Sequence, residues 1–121
     1  MTKVLVIEDE DLIRESILHL LNTRGFSAIG AENGRVGLQL VKEIIPDLIL
    51  CDVRMPELDG YEVLRALRQD PTTATIPFIL LTAEANQNVI YQGQLLGANG
   101  YLIKPFTMNQ LLEAIAAHLR E

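Results

Sequence analysis

Acidic side chains follow two apolar segments of the chain, at the point where each segment ends. Residues 3–7 are followed by Glu8 and Asp9, and the run 47–52 is apolar from its second residue until it closes on Asp52. A run that is apolar on both faces is typical of a central strand in a parallel sheet. Because the carboxyl ends of such strands share one edge, where open α/β sheets carry their chemistry, we expect the three carboxylates to meet in one pocket.

Clustered carboxylates indicate which chemistry this pocket suits. Like charges held together raise one another's proton affinity unless a cation lies between them. Oxygen ligands without histidine favour Mg²⁺, which keeps several of its waters and often bridges to a phosphate. Glu10 and Asp11 come next in the chain and are expected to cap the first helix instead. The alternative is that Glu8, Asp9 and Asp52 also do no more than cap helix N termini.

Two more predicted strands end in residues that suit a phosphate group. Thr82 closes the fourth strand and is followed by Ala83, and Lys104 follows the short strand near 101–103 and precedes Pro105. By the same edge rule, a hydroxyl, a backbone N–H and an ammonium group would surround the carboxylates, with lysine as a compact point charge. Taken singly, each residue has an ordinary structural explanation. Their joint placement predicts a site for a phosphoryl group.

The elements that must position these residues alternate between strand and helix along the chain. Strands are predicted at residues 3–7, 26–30, 47–52, 78–82 and 101–103. Helices are predicted at residues 10–23, from Asn33 to before Pro46, from Asp59 onward, at 87–96 and from Thr107 onward, with Gly25 and Gly97 as stops. The alternation predicts an α/β fold, with a parallel sheet covered by helices on both faces and joined by right-handed crossovers.

The spacing of apolar residues predicts which helix faces are buried. The first helix is expected to turn inward Leu12, Ile13, Ser16, Ile17, Leu20 and Leu21. The third and the last helix are expected to bury Val63, Leu64, Leu67, Leu111, Leu112, Ile115 and Leu119.

The bulk composition favours a globular domain and disfavours several functions. The 121 residues, 49% of them apolar, suffice for one domain, taken as residues 1–121. The net charge of −6 argues against direct nucleic-acid binding by this domain. No apolar run approaches the roughly 18 to 20 residues of a membrane helix, and the N terminus lacks a signal-peptide pattern. The single cysteine, Cys51, is expected in the core, and a reducing cytoplasm is the expected compartment.

The combined motif resembles that of a known family. Its matching elements are Glu8-Asp9, Asp52, Met55-Pro56, Asp59-Gly60, Thr82-Ala83, Tyr101 and Lys104-Pro105-Phe106. These elements extend over essentially the whole chain, and the sequence is similar to the CheY-like receiver domains of two-component response regulators. The resemblance implies a doubly wound, flavodoxin-like (βα)5 fold with five parallel strands in the order 2-1-3-4-5.

The resemblance also implies roles at the acidic pocket. Asp52 would be the nucleophile that takes a phosphoryl group from a phosphohistidine. Mg²⁺ would be bound directly by Asp9, Asp52 and the backbone carbonyl of Arg54, with Glu8 acting through water. The chain would catalyse only its own phosphorylation and slow dephosphorylation, so it would not be an enzyme in the usual sense.

Phosphoryl binding and switching are implied for the neighbouring strands. The phosphoryl oxygens would be held by Thr82, the backbone N–H of Ala83 and Lys104, whose bond to Pro105 would be cis. Phosphorylation would draw Thr82 inward and let Tyr101 swing into the freed space, which changes the face made by helix four, strand five and helix five. The alternative for Tyr101 is an ordinary half-buried aromatic of the sheet.

The partners implied by the resemblance are a phosphodonor and a responder. The donor would be a sensor histidine kinase or a histidine phosphotransfer domain, and the responder an attached output domain or a separate downstream target. The chain would either stand alone or belong to a longer regulator.

The face of helix four, strand five and helix five departs from one branch of the family. That branch dimerises through salt bridges on this face, whereas no charged residue lies between Glu84 and Lys104 here. The departure puts a salt-bridged homodimer in doubt. We predict that a partner, or a second copy, binds this face through polar and apolar contacts of Gln87, Ile90, Tyr91 and Gln94. A steep salt dependence would count against this, and the alternative is a neutral face that binds nothing.

Arg54 and Glu84 are placed to form the rim of the pocket. Each lies two residues after a predicted pocket residue, Arg54 after Asp52 and Glu84 after Thr82, and their charges are opposite. Our hypothesis is that they pair across the mouth and hinder the water that hydrolyses the acyl phosphate. The effect would be steric, because an exposed ion pair contributes little energy.

Three other functions fit the sequence less well. A haloacid dehalogenase-type phosphatase needs a second acid two residues after the nucleophile, where Arg54 stands. A flavodoxin needs a Ser/Thr/Gly-rich phosphate loop after the first strand, where the acidic residues 8–11 would repel FMN. A degenerate receiver that acts only as an interaction module is disfavoured by the complete pocket.

Overall fold

The computed structural model describes residues 1–83 and 86–119, which form a parallel sheet flanked by helices. The strands are β1 (Lys3–Ile7), β2 (Ser27–Ala31), β3 (Leu48–Asp52), β4 (Phe78–Thr82) and β5 (Gly100–Ile103). The helices are α1 (Asp11–Thr23), α2 (Gly34–Ile44), α3 (Gly60–Gln69), α4 (Gln87–Leu96) and α5 (Met108–His118). The order β2-β1-β3-β4-β5, with every neighbouring pair parallel, confirms the flavodoxin-like α/β fold.

The register of the strands brings the polar strand ends to one edge. The last residue of β1 is paired with the residue before Asp52, which brings Glu8 level with Asp52. Asp52 is paired with the residue before Thr82, and Thr82 is paired with the last residue of β5, next to Lys104. Residues far apart in sequence therefore meet because their strands end together.

The sheet separates two apolar layers, which explains the unbroken apolar runs. Side chains alternate between the two faces of a strand, so both faces of β1, β3 and β4 must be apolar when helices cover both. On the face covered by α2, α3 and α4 the buried strand residues are Leu5, Ile7, Ile49, Cys51, Phe78 and Leu80. On the face covered by α1 and α5 they are Val4, Val6, Leu48, Leu50, Ile79 and Leu81. Cys51 is fully buried, as predicted.

The ends of the helices follow the predicted capping residues. Asn33 accepts a hydrogen bond from the backbone N–H three residues on, and Asp59 and Thr107 each form a reciprocal capping box. Gly25 and Gly97 end helices at φ values of 90° and 102°, which glycine adopts without steric strain. Among the described residues, no helix combines the length and the apolar character that crossing a bilayer requires.

The inner face of α1 differs from the sequence prediction. Its buried or partly buried apolar residues are Ile13, Ile17, Leu18, Leu20 and Leu21. Leu12 is 86% exposed and Ser16 is exposed too, so their predicted burial was wrong. The reason is that an open groove lies between the first turns of α1 and the loop before α5. Leu12 lines this groove with Pro105 and Phe106 and is therefore not covered. The buried faces predicted for α3 and α5 are confirmed.

The predicted capping role of Glu10 was also wrong in its detail. Glu10 occupies the N-cap position of α1, but its side chain makes no capping hydrogen bond. Asp11 lies in the first turn, as predicted, and there accepts a hydrogen bond from Arg14 at 2.7 Å. Glu10 instead lines the acidic cavity described below.

Gly60 fixes the start of α3 against the end of β3. Its N–H donates to the carbonyl of Val53 at 2.8 Å, and a β-carbon at Gly60 would collide with the backbone carbonyl oxygen of Asp52. We expect Gly60→Ala to lower the free energy of unfolding by about 2 kcal/mol, because the colliding atom is backbone and cannot rotate away. Urea unfolding measures this. Gly93→Ala on α4 is the matched control, since its β-carbon would collide with the terminal Cδ1 of Leu80 rather than with backbone. Equal losses in the two variants would contradict the prediction.

Candidate functional site

A small cavity lies at the carboxyl edge of the sheet. Its volume is about 180 Å³, and its lining residues are Asp9, Glu10, Asp52, Val53, Arg54, Thr82, Ala83 and Lys104. Glu8 is fully buried beside them, in contact with Lys104. The structure thus brings together the predicted pocket residues that it describes. Glu84, the predicted partner of Arg54, lies outside the described residues, so that rim pair stays a prediction.

Lys104 lies between the two most buried carboxylates of the site. Its Nζ is 2.5 Å from Oε1 of Glu8 and 3.1 Å from Oδ1 of Asp52. Its backbone N–H donates to the carbonyl of Thr82 at 2.7 Å, which continues the pairing of β4 with β5, and its bond to Pro105 is cis. The side chain of Lys104 is only 15% exposed, so its charge acts at short range on both carboxylates.

The two carboxylates share this cation unequally. Burial, followed by the negative charge of Glu8, raises the pKa of Asp52 to about 7, and Lys104 offsets only part of this. Burial would also raise the pKa of Glu8, but hydrogen bonds from Lys104 and from the backbone N–H of Glu10 outweigh it and leave that pKa lowered. Burial opposes the charge of Lys104, yet its two acidic partners raise its pKa. Lys104 therefore compensates the charge of Asp52 less completely than that of Glu8.

The acidic cluster fits a hard divalent cation. One carboxylate oxygen from each of Glu8, Asp9 and Asp52 lies within 4.8 Å of the others. These ligands are all oxygen, and they form an incomplete shell that leaves room for water, as Mg²⁺ prefers. A cation there would also relieve the repulsion between Glu8 and Asp52. The site can therefore hold a magnesium ion.

The switch residues predicted from sequence lie in different places. Thr82 is 3% exposed and lines the acidic cavity. Tyr101, on β5, is 43% exposed and lines a separate cavity of about 260 Å³ with Ile90, Gln94 and His118. Tyr101 thus lies on the edge strand of the sheet, beside space that a side chain can enter.

Sequence reasoning missed two residues near the cluster. Glu10 was assigned to helix capping, although it follows Glu8 and Asp9 directly and lines the cavity. Arg14 was not considered, although it donates to the carbonyl oxygen of Glu8 at 2.9 Å. The only available signal was the spacing of Arg14 three residues after Asp11, which is common on exposed helices.

The fold and the pocket define a class of protein: doubly wound domains with an acidic, lysine-bearing pocket at the carboxyl edge of the sheet. The sequence profile of the response regulator receiver domain matches residues 4–116. The chain belongs to this family, the receiver domains of two-component response regulators.

Curated relatives are response regulators and transcriptional regulators. The response regulator MprA of Mycolicibacterium vanbaalenii is 39% identical over 118 residues, which cover 98% of this chain and 50% of that protein. The phosphate regulon transcriptional regulatory protein PhoB of Pseudomonas aeruginosa is 37% identical, with 97% and 51% covered. The regulatory protein AtoC of Escherichia coli is 37% identical, with 92% and 24% covered. The chain thus spans about half or less of the length of these relatives.

Solved structures repeat the fold over their whole length. The chemotaxis protein CheY4 of Vibrio cholerae superposes with a TM-score of 0.95 at 33% identity, covering 98% of this chain and 99% of that one. The receiver domain of the sensor histidine kinase PA1611 of Pseudomonas aeruginosa gives a TM-score of 0.89 at 29% identity, covering 97% and 96%. That structure has a magnesium ion coordinated in its active-site cleft.

Proposed function

We propose that this chain is a phosphoacceptor, with Asp52 as the residue that is phosphorylated. The observation that carries the proposal is the position of Asp52. It is 7% exposed, it lines the acidic cavity, and its Oδ1 lies 3.1 Å from the ammonium group of Lys104. A buried carboxylate beside a cation and a candidate metal site is suited to attack phosphorus.

The chemical step is an in-line displacement. An oxygen of Asp52 forms a bond to the phosphorus of a phosphohistidine, the P–N bond breaks, and the leaving imidazole nitrogen keeps the electron pair and takes up a proton. Asp9, Asp52 and the backbone carbonyl of Arg54 would hold Mg²⁺, and Glu8 would act on it through water. When bound, Mg²⁺ favours the ionised form of Asp52 and offsets the charge of the phosphoryl group.

The remaining pocket residues hold the transferred group. The hydroxyl of Thr82, the N–H of Ala83 and the ammonium group of Lys104 bind its oxygens. These groups lie on adjacent strand ends, so three donors surround the phosphoryl oxygens beside Asp52. The chain catalyses only its own phosphorylation and slow dephosphorylation. That Arg54 and Glu84 hinder the water that hydrolyses the acyl phosphate stays a prediction.

The phosphodonor is a sensor histidine kinase or a histidine phosphotransfer domain, and it docks on an apolar groove beside the site. The groove, of about 520 Å³, is lined by Leu12, Ile13, Ser16, Ile17, Lys104, Pro105 and Phe106. Lys104 belongs to both the groove and the acidic cavity, so a donor bound in the groove lies next to Asp52.

The exposed Leu12 supplies a test of donor docking. We expect Leu12→Gln to slow transfer from a phosphorylated histidine phosphotransfer domain about tenfold, because an apolar contact of this size is worth about 1.5 kcal/mol or more. Phosphorylation by acetyl phosphate, which needs no docking, should keep its rate. Leu95→Gln on α4 is the control, as Leu95 is 68% exposed but lines neither cavity. Equal slowing of both phosphodonors by Leu12→Gln would contradict the docking role.

Phosphorylation changes the face made by α4, β5 and α5. Thr82 moves toward the phosphoryl group, and Tyr101 turns inward from its exposed position. The responder, an output domain or a separate target, binds this face through polar and apolar contacts of Gln87, Ile90, Tyr91 and Gln94. The absence of charged residues between Glu84 and Lys104 supports binding that depends little on salt.

The proposal is tested by the intact mass of the protein after incubation with acetyl phosphate and Mg²⁺. We expect a gain of one phosphoryl group, which a chelator prevents. A phosphorylated histidine phosphotransfer domain serves as the second donor. No gain with either donor would contradict the proposal and favour an interaction module that works without phosphorylation.

A further inference from the structure

Arg14 reaches from α1 into the loop that carries the acidic cluster. Its Nη1 donates to the backbone carbonyl of Glu8 at 2.9 Å, and its Nη2 donates to Oδ1 of Asp11 at 2.7 Å. The side chain of Arg14 is only 13% exposed. The guanidinium group therefore bridges the end of β1 and the first turn of α1, with Asp9 between the two points that it holds.

The missing side chain of Gly30 makes room for this contact. A β-carbon at Gly30, on β2, would lie 3.1 Å from Cδ and 3.3 Å from Cγ of Arg14, and 2.8 Å from Cδ1 of Leu18. These distances are shorter than ordinary van der Waals contact, so a side chain at Gly30 would push aside both the end of Leu18 and the stem of Arg14. Arg14 can follow its path to Glu8 because residue 30 is glycine.

The backbone of Asp9 is held on both sides. The carbonyl that Arg14 binds belongs to the planar peptide that precedes Asp9. The peptide that follows Asp9 is held by the N–H of Glu10, which donates to Oε2 of Glu8 at 3.2 Å. Fixing both planes fixes φ and ψ of Asp9, and with them the direction in which its carboxylate leaves the backbone.

We propose that Arg14 is a positioning residue for the magnesium site, which aims the carboxylate of Asp9 at the metal by holding the carbonyl of Glu8. This inference rests on the proposed function, because it assumes that the acidic cluster binds Mg²⁺. Gly30 is part of the same device, since it gives Arg14 its path.

Electrostatics alone predicts the opposite sign, which makes the inference testable. A cation near a metal site repels the metal, so removing the charge of Arg14 would tighten Mg²⁺ binding if charge were its only influence. A residue that aims a ligand has the reverse effect, because its loss leaves Asp9 free to point elsewhere. The direction of the change in magnesium affinity when Arg14 is replaced therefore distinguishes a positioning role from a purely electrostatic influence.

The experiment measures magnesium affinity from the rise of the melting temperature with Mg²⁺ concentration, without any phosphodonor. We expect Arg14→Met to weaken Mg²⁺ binding at least fivefold. Gly30→Val keeps the charge but displaces the Arg14 stem, and should weaken binding similarly. Arg14→Lys keeps the charge but cannot bridge two acceptors with a planar fork, so it should not restore full affinity. Arg24→Met is the matched control, an exposed arginine at the other end of α1, and should leave the affinity unchanged.

The outcomes separate this inference from the proposed function. Urea unfolding in chelator, run on each variant, shows which variants are folded, and the inference is judged on those. If the parent chain binds Mg²⁺ and Arg14→Met binds it equally or more tightly, the positioning role is overturned while the metal site stands. A Gly30→Val variant that binds Mg²⁺ as tightly as the parent would overturn the positioning role as well. If the parent chain shows no magnesium-dependent stabilisation, both the inference and the metal site of the proposed function fail.

Discussion

Asp52→Asn is expected to abolish phosphorylation and, in the absence of metal, to stabilise the protein. The first effect follows because the amide of asparagine has no carboxylate oxygen that can attack phosphorus. The second follows because the ionised form of Asp52 is disfavoured by burial and by the charge of Glu8, which together raise its pKa to about 7. Asparagine occupies the same space without that charge. A residue that function requires is thus predicted to reduce the stability of the fold.

The stabilisation by Asp52→Asn should depend on pH in a defined direction. The carboxyl group of Asp52 has a pKa near 3.8 when unfolded and about 7 when folded, so the folded state binds the extra proton between these values. The contribution of the Asp52 carboxyl group to the free energy of unfolding of the parent is therefore fully present below about pH 4. It is lost as the pH rises through about 7. The difference between variant and parent should be small at pH 4 and reach on the order of 2 kcal/mol at pH 8.

Urea unfolding in chelator, at pH values from 4 to about 8, measures this difference. Adding Mg²⁺ should raise the stability of the parent far more than that of the variant, because the variant has lost one of three carboxylates. A variant that is less stable than the parent at pH 8 in chelator would contradict the electrostatic account of Asp52.

Lys104→Met is expected to produce the second large effect, a loss of phosphorylation rate of about a hundredfold. Lys104 is the cation nearest to Asp52, with Nζ at 3.1 Å, and removing one preorganised group that binds a developing negative charge typically costs this much. The rate is measured from the gain of mass with acetyl phosphate and saturating Mg²⁺. Saturating the metal separates this effect from a change in magnesium affinity.

The same substitution should destabilise the metal-free protein. Glu8 is fully buried and would lose its cationic partner, which costs about 3 kcal/mol for a charge left unpaired in the interior. The loss should shrink in acid, where Glu8 can take up a proton. Lys42→Met, an exposed lysine on α2, is the matched control for both measurements. A Lys104→Met variant that is phosphorylated at the parent rate would remove Lys104 from the proposed chemistry.

The sheet and the pocket were predictable because they follow from strong, local patterns. The apolar runs identified β1, β3 and β4, and the rule that parallel strands share a carboxyl edge placed Glu8, Asp52 and Thr82 together. The resemblance to a family added the strand order and the meaning of Lys104. These inferences needed only the residue types at strand ends, which the sequence states directly.

The errors arose where a side chain's surroundings depend on distant parts of the chain. Leu12 fits the apolar stripe of α1, but the surface opposite its turn is formed by the loop at Pro105, and the periodicity of one helix carries no information about that loop. In the sequence, Arg14 looks like one partner of an exposed ion pair, because it lies three residues after Asp11. Its contact with Glu8 depends on the space left by Gly30, which appears only when β2 lies beside α1.

The most direct test of the central claim is to locate the phosphoryl group on the chain. After incubation with Mg²⁺ and either acetyl phosphate or a phosphorylated histidine phosphotransfer domain, borohydride reduction converts an aspartyl phosphate to homoserine, and peptide mass spectrometry then identifies the residue. We predict conversion at Asp52 alone, absent when Mg²⁺ is chelated. Conversion at another acidic residue, or none while the histidine phosphotransfer donor loses its phosphoryl group, would contradict the assignment of Asp52 as the phosphoacceptor.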